Sequence, residues 1–198
     1  MRPTPLLLVF LLPLLWAVAP AGAQEGRFAF QIRGGGTVPL GDFRAEDRGW
    51  EGKAGSGPSF GMGFHIPLKG LLGAYLGFSQ HRFGCQEDVC HRGKDWVSTG
   101  FDVGLRWVLG RHRIRPWFLV ALHAPRVEGR LVEEGERVRR TSEGAGGLEA
   151  GGGIMIRIGE GTSLRPGVRY GRVDLPFPDQ DPLELRYLVV DLGLVMSF

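Results

Sequence analysis

The last eleven residues of the chain, 188–198, have the sequence LVVDLGLVMSF and alternate between two kinds of side chain. One set is entirely apolar: Leu188, Val190, Leu192, Leu194, Met196 and Phe198. The other set is mixed and includes Asp191, Gly193 and Ser197. Because successive side chains of a strand point to opposite faces, this period of two predicts a β-strand with one apolar face.

The same alternation recurs upstream, in segments near 28–32, 60–66, 72–78, 99–107, 148–158 and 164–170. A further stretch at 117–123 is apolar on both faces, so its orientation stays open. With the terminal segment, the pattern predicts eight strands. Short connections containing Lys69-Gly70, Gly110-Arg111-His112 and Gly159-Glu160-Gly161 alternate with long polar ones near 41–56, 83–95, 125–146 and 173–183. This alternation is typical of an up-and-down membrane β-barrel with both chain ends on the short-turn side.

Composition narrows the class of protein further. The 198 residues include 33 glycines, and 24 Lys+Arg against 21 Asp+Glu give a net charge of +3. No basic block gathers that excess, so a nucleic-acid-binding arm is excluded. Most strand glycines fall on the face that is not apolar, together with arginines, whereas a soluble lipocalin-like barrel would carry its apolar face inside. The pattern therefore favours a lipid-facing apolar surface around a narrow lumen in which glycines make room for arginines.

The first 23 residues have the pattern of a secretory signal. Arg2 precedes an apolar run over 6–19, and Ala21-Gly22-Ala23 matches the small-residue pattern of a cleavage site. The run contains Pro13 and is shorter than the ~20 residues of a transmembrane helix. We therefore predict a signal peptide over 1–23, cleaved near Ala23, and a barrel domain over 24–198.

The chain resembles the OmpA/OmpX-like family of eight-stranded outer-membrane β-barrels. The resemblance rests on a first strand that runs into 36–43 (GTVPLGDF), on the strand 61–64 (GMGF) with its Pro67-Leu68 turn, and on the terminal strand that ends at Phe198. It implies an all-β, eight-stranded antiparallel transmembrane barrel in the bacterial outer membrane. In that family a terminal aromatic residue is recognised by the barrel assembly machinery, which is the role implied for Phe198.

Charged side chains on the polar face predict an ion-pair network inside the lumen, because an unpaired buried charge costs several kcal/mol. The predicted members are Arg33, Asp102, Arg106, Glu149, Arg157, Arg165, Arg169 and Asp191. If residue 162 lies opposite residue 198 in the last hairpin, then Arg169 lies opposite Asp191. If residue 26 at the start of the first strand lies beside residue 198, then Arg33 also adjoins Asp191. We expect these charges to fill the lumen, and a gated conductance is the alternative.

Two cysteines, Cys85 and Cys90, lie within the second long loop. Passage through an oxidising periplasm makes a disulfide between them the expected state. The alternative is a metal or redox pair with His81 and His91, but no tetrahedral ligand set is evident. No metal or other cofactor is predicted.

The loop after residue 125 has the pattern of a hairpin that continues the fifth and sixth strands beyond the membrane. Segments 127–132 and 136–140 flank Glu133-Glu134-Gly135, and five arginines balance five glutamates across 126–146. One interpretation is a soluble, salt-bridged protrusion. The other is adhesion, in which a sheet edge adds a partner strand and Arg137, Arg139 and Arg140 contact lipopolysaccharide phosphates.

We therefore predict a non-enzymatic, monomeric outer-membrane protein with an envelope-structural or adhesion-like role through its surface loops. Its expected partners are outer-membrane lipids, lipopolysaccharide, the barrel assembly machinery and a surface ligand of the loop 125–146, and not nucleic acid. One alternative is a slow, porin-like pore for small solutes. Another is a lipid hydrolase using Ser79 as nucleophile and His81 as base, since residues two apart on a strand share a face.

Overall fold

The computed structural model describes residues 27–44, 54–85, 95–133, 136–177 and 180–198. Within these ranges the strands are β1 (Ala29–Leu40), β2 (Ala54–Gly55), β3 (Gly57–Pro67), β4 (Leu72–Cys85), β5 (Trp96–Val108), β6 (Ile114–Glu133), β7 (Glu136–Thr141), β8 (Gly147–Gly159), β9 (Thr162–Phe177) and β10 (Gln180–Ser197). A 3-10 turn, Gly41–Phe43, follows β1. No helix in these ranges is long and apolar enough to cross a membrane.

Eight of the described strands close into one antiparallel barrel. Their order around it is β3, β1, β10, β9, β8, β6, β5 and β4, and the β3–β4 pairing completes the circle. The two remaining strands extend the wall at the long-loop end, where β2 pairs with β4 and β7 pairs with β6. The predicted all-β, eight-stranded up-and-down barrel is confirmed. The predicted signal peptide, 1–23, lies outside the described residues.

The two ends of the barrel differ as the loop lengths predict. At the short-turn end, Gly70, Gly110 and Gly161 adopt positive φ in the three tight turns, a conformation that glycine adopts without strain. The start of the first strand and the end of the last strand meet there, since the Phe198 N–H donates to the Phe28 carbonyl at 3.0 Å. At the other end, β6 and β7 form the predicted hairpin, although residues 142–146 separate β7 from β8.

An apolar band surrounds the outside of the barrel. On β6, the strand whose orientation the sequence leaves open, Phe118, Val120 and Leu122 face outward, and Trp117 and Leu119 lie in the lumen. The outward apolar positions of β6 run from 114 to 124. At ~3.3 Å per residue and ~45° tilt, such a run spans about 25 Å, the height of the lipid-facing band of outer-membrane barrels.

Above this band, toward the long loops, the alternation inverts. The outward positions there carry Arg82, Arg126, Arg172, Glu184 and Arg186. The inward positions carry Phe83, Val127, Val173, Leu183 and Leu185. Water surrounds the wall above the band, as it surrounds a soluble barrel, so four wall strands carry polar side chains outside and apolar side chains inside there. The inversion marks the upper edge of the band on β4, β6, β9 and β10.

Lumen glycines face large side chains on neighbouring strands. A Cβ on Gly61 would collide with Arg33, and a Cβ on Gly171 would collide with the ring of Tyr187. In both cases the glycine is the direct cross-strand partner of the large residue. The glycines therefore make room for arginines, as the sequence predicts, and for aromatic rings as well.

The predicted strand registers are wrong by two residues. Arg169 pairs with Val189 rather than with Asp191, and Arg33 pairs with Gly193. Barrel closure fixes a stagger between strands that a sequence does not reveal. Because the error is even, every side chain keeps its predicted face, and the predicted direct partners become diagonal neighbours within reach of a long side chain.

Candidate functional site

Three carboxylates and two arginines form a buried ion-pair network at mid-height in the lumen. Asp191 accepts hydrogen bonds from Arg169 through Nε at 3.1 Å and through the nearby Nη2 atom. Arg169 Nη1 also donates to Glu149 Oε1 at 3.0 Å. Arg33 Nη2 donates to Asp102 Oδ2 at 3.3 Å, and Arg33 Nη1 lies 3.6 Å from Asp191 Oδ2. Each of the five residues is at most 5% exposed.

Two contacts of this interior cross the lumen rather than follow the wall. Arg33 and Gln31 belong to β1, whereas Asp102 and Arg106 belong to β5, and two other strands separate β1 from β5 on the shorter path around the barrel. Arg106 Nη1 donates to Gln31 Oε1 at 2.9 Å, parallel to the Arg33–Asp102 contact. Side chains therefore bridge the lumen at two heights.

The structure places seven of the eight predicted residues inside the lumen. Arg33, Asp102, Arg106, Glu149, Arg165, Arg169 and Asp191 are all buried in the lumen. Arg157 departs from the prediction, because it is exposed at the short-turn end, next to a register shift between Arg157 and Gly159. Its position in the alternation is right, but its height in the barrel places it at the mouth.

Sequence reasoning missed the polar residues that connect the network to the layer above it. His123 Nδ1 lies 2.5 Å from Asp102 Oδ1, and the Tyr187 hydroxyl donates to Glu149 Oε2 at 3.4 Å. The rings of His81 and Tyr187 are 5.0 Å apart. His123 belongs to the stretch that is apolar on both faces, so alternation gave no signal for it. A signal for Tyr187 is present in the sequence, because it lies four residues before Asp191 in the same strand and therefore shares its face.

The geometry does not assemble the Ser79–His81 pair that a hydrolase would need. Ser79 donates to Asp102 Oδ1 at 3.5 Å, whereas His81 Nδ1 lies 2.9 Å from the hydroxyl of Ser59. Ser79 and His81 are both fully buried. From the long-loop end, a lipid ester would have to pass the layer above them to reach either side chain.

That layer is an apolar plug across the lumen at the long-loop end. Its members are Phe43, Ala54, Phe83, Trp96, Val127, Val173, Leu175, Leu183, Leu185, Tyr187 and Val189. Phe43 reaches it from the 3-10 turn after β1, with its ring centroid 5.1 Å from that of Phe83 and 6.0 Å from that of Trp96. The 3-10 turn after the first strand therefore folds back and places Phe43 in the plug.

The hairpin of β6 and β7 carries the predicted surface arginines. Arg139 is exposed and donates to Glu128 Oε2 at 2.6 Å across the hairpin. Arg140 pairs in register with Gly129, and Arg137 pairs with Val132. Cys85 is the last residue of β4, but Cys90 lies outside the described residues, so the Cys85–Cys90 disulfide stays a prediction. No group of three metal-ligating side chains occurs in the described part of the chain.

Comparison with known proteins gives a likeness in structure only. No protein-family model and no curated protein sequence matches the chain. Neisserial surface protein A matches 88% of this chain over all of its own, with a TM-score of 0.66 and 14% identity. The attachment invasion locus protein Ail of Yersinia pestis matches with the same coverage, a TM-score of 0.55 and 13% identity. A major outer membrane protein of Thermus thermophilus matches equally far, with a TM-score of 0.51 and 12% identity.

These likenesses and the apolar band define the class: the chain has the fold of an outer-membrane β-barrel protein. Its eight barrel strands, short turns at one end and extended strands at the other identify the OmpA/OmpX-like form of that fold, which confirms the resemblance seen in the sequence. The same features support the predicted location in the bacterial outer membrane.

Proposed function

We propose that this protein is a non-conducting, non-enzymatic barrel of the outer membrane that acts through the wall extensions and loops at its long-loop end. One observation carries the proposal: the apolar plug and the ion-pair network occupy successive levels of the lumen. Buried side chains at both levels would obstruct a solute path, and Ser79 and His81 are fully buried. The surface at the long-loop end would then be the part of the molecule that meets a partner outside the cell.

The proposed role is adhesion-like binding of anionic groups by the β6–β7 hairpin. Arg139 is exposed at the barrel's outer end, and the hairpin sequence adds Arg137 and Arg140. Guanidinium groups bind phosphate and sulfate through paired hydrogen bonds. Among the similar structures, Ail was solved in complex with the heparin analogue sucrose octasulfate, at a TM-score of 0.53 and 12% identity. A sulfated glycan or a lipopolysaccharide phosphate fits this chemistry.

Binding of the refolded chain to immobilised heparin tests the role of the hairpin. The variant Arg137→Gln/Arg139→Gln/Arg140→Gln should weaken binding at least tenfold. The control, Arg82→Gln/Arg126→Gln/Arg172→Gln, removes the same charge from exposed wall positions outside the hairpin segments 127–132 and 136–140 and should bind as the parent chain does. Equal loss of heparin binding in both variants would mean that net charge alone, and not the hairpin, determines binding. Unchanged binding in the hairpin variant would refute the proposal. Deletion of 128–140 should likewise abolish binding while leaving a heat-modifiable barrel.

Planar-bilayer recording tests the closed lumen. Both the parent chain and Asp191→Asn should show negligible conductance, because the apolar plug remains in the variant. Steady single-channel currents in the parent chain would instead support the porin-like alternative. A lipid deacylation assay with Ser79→Ala as control addresses the hydrolase alternative, and activity that this variant loses would contradict our proposal.

The route to the membrane is part of the same proposal. A signal peptide over 1–23 would deliver the chain to the periplasm, and the terminal strand with Phe198 would then be recognised by the barrel assembly machinery. The last strand is well formed as far as Ser197, and Phe198 is 70% exposed at its end. Replacement of Phe198 by Ser should lower the amount of chain that fractionates with the outer membrane, without changing refolding in detergent.

A further inference from the structure

The short-turn end of the barrel opens into a cavity that is rich in arginine. Its volume is about 1050 Å³. The arginines that line it are Arg27, Arg106, Arg111, Arg113, Arg115 and Arg157. Glu160 is the one acidic side chain in the lining formed by the described residues. A concave site with this excess of one sign concentrates the field of its charges and attracts counter-ions.

Deeper side chains continue the positive charge from the mouth toward the network. Arg115 is 8% exposed and Arg106 only 1%. Above them, Arg165 is fully buried, with its guanidinium 4.3 Å from the ring centroid of Trp117. The arginines therefore extend from the solvent at the mouth to a dry position below mid-height.

Hydrogen-bond donors on these arginines exceed the acceptors that the barrel offers. In the described part of the chain, none of the three guanidinium nitrogens of Arg165 has a hydrogen-bond partner, and the Nε atoms of Arg106 and Arg115 have none either. Within the ion-pair network, both oxygens of Asp102 and Glu149 accept hydrogen bonds, which leaves Asp191 Oδ1 as the one carboxylate oxygen without a donor. A single oxygen does not satisfy the donors of three arginines.

We propose that this cavity, the arginine mouth, is a binding site for a phosphate-type oxyanion. Arg106 and Arg115 would hold the anion at the inner end, and the exposed Arg113 and Arg157 would hold it at the rim. Buried arginines without acceptors destabilise a fold, whereas an oxyanion supplies several acceptors and neutralises their charge. The site faces away from the hairpin, so it is independent of the proposed surface role. The phosphate belongs either to a soluble compound of the periplasm or to a lipid headgroup at the inner rim of the barrel.

The test is a calorimetric titration of the refolded full chain, in phosphate-free maltoside micelles at fixed ionic strength, with inorganic pyrophosphate as the probe. The parent chain should bind saturably. Arg113→Gln/Arg157→Gln should weaken binding at least tenfold, and both side chains are exposed, so the barrel should fold. The matched control, Arg82→Gln/Arg126→Gln, removes the same charge from two exposed positions that belong neither to the arginine mouth nor to the hairpin segments 127–132 and 136–140, and it should leave affinity unchanged. Absence of saturable binding, or equal loss in the two variants, would overturn the proposal.

A second arm separates the two sources of phosphate. The same titration is run on the barrel in nanodiscs of phosphatidylcholine and in nanodiscs that contain phosphatidylglycerol. If anionic headgroups reach the arginine mouth, phosphatidylglycerol should weaken pyrophosphate binding by the parent chain through competition, and a soluble ligand is indicated if the two nanodiscs agree. Failure of hairpin binding to heparin would leave both results intact, so the two proposals fail separately.

Discussion

The half of the lumen toward the long loops and the half toward the short turns accommodate charged side chains in opposite ways. Toward the long loops, Arg33 and Arg169 are matched by three carboxylates, and an apolar plug closes the space above them. Toward the short turns, arginines line an open cavity with one opposing glutamate among the described residues. The upper half is built like a protein core and the lower half like a binding surface. Within the lumen, the difference predicts that stability resides mainly in the upper half and anion binding in the lower half.

Removal of Asp191 should give the largest effect. Asp191→Asn keeps the size of the side chain but leaves Arg169 and Arg33 short of a buried counter-charge, and breaking a buried ion pair in this way costs about 3 to 5 kcal/mol. Urea unfolding in lipid bilayers measures the loss. Arg157→Gln in the lower half should change stability by less than about 0.5 kcal/mol. Similar losses in the two variants would erase the distinction between the halves.

Truncation of Phe43 should come next. Phe43→Ala removes a fully buried ring from the apolar plug, where it packs on Phe83 and Trp96. Loss of a buried phenylalanine destabilises a fold by about 3 kcal/mol. The same unfolding assay, with near-ultraviolet circular dichroism to follow the Trp96 environment, checks the prediction. An unchanged spectrum and midpoint would mean that the 3-10 turn contributes nothing to the plug.

A pair of glycines gives a smaller, matched comparison. Gly171→Ala places a Cβ against the ring of Tyr187, and we expect a loss of about 1 to 3 kcal/mol from overpacking. Gly34→Ala adds the same group where nothing lies within 4 Å, so its stability should be unchanged or higher. If both variants lost stability equally, backbone effects rather than space in the lumen would explain the glycines.

The smallest effect concerns pH at the wall above the apolar band. A hydrogen bond from Arg186 lowers the pKa of Glu184, with Arg172 adding to it at 2.6 Å. Because the folded-state pKa lies below the unfolded value of about 4.3, this contribution is complete above that pH and is lost as pH falls through the folded-state value. Unfolding at pH 7 and pH 3 should therefore show a smaller stability drop for Glu184→Gln than for the parent chain. An equal drop in stability would mean that protonation of Glu184 is not coupled to folding.

The fold could be predicted from the sequence because the membrane imposes one simple rule on every strand. Outward side chains such as Phe101 and Leu192 must be apolar, whatever lies inside, so alternation and turn glycines were sufficient. The height of a residue along the barrel axis and the stagger between neighbouring strands follow no such rule. The two-residue register error and the placement of Arg157 at the mouth both come from barrel geometry, which depends on all eight strands together.

The apolar plug was missed for a different reason. Leu183 and Leu185 fall out of phase with Leu188 and Val190, and this change is visible in the sequence. Its meaning depends on where the membrane ends, since the same pattern would otherwise indicate a strand boundary. Pairings across the lumen, such as Arg33 with Asp102, depend on long-range closure and leave no local signal.

The closing seam between β1 and β10 also governs how the chain folds. Every other barrel pairing among the described strands joins neighbours in the chain, whereas this one joins the first strand to the last, from Ala29 with Ser197 to Leu40 with Arg186. Until it forms, the intermediate is a curved sheet with two unpaired edges, which a lipid interior does not tolerate. Formation of the seam must therefore accompany insertion, and the Arg33–Asp191 contact across it forms only at that last step.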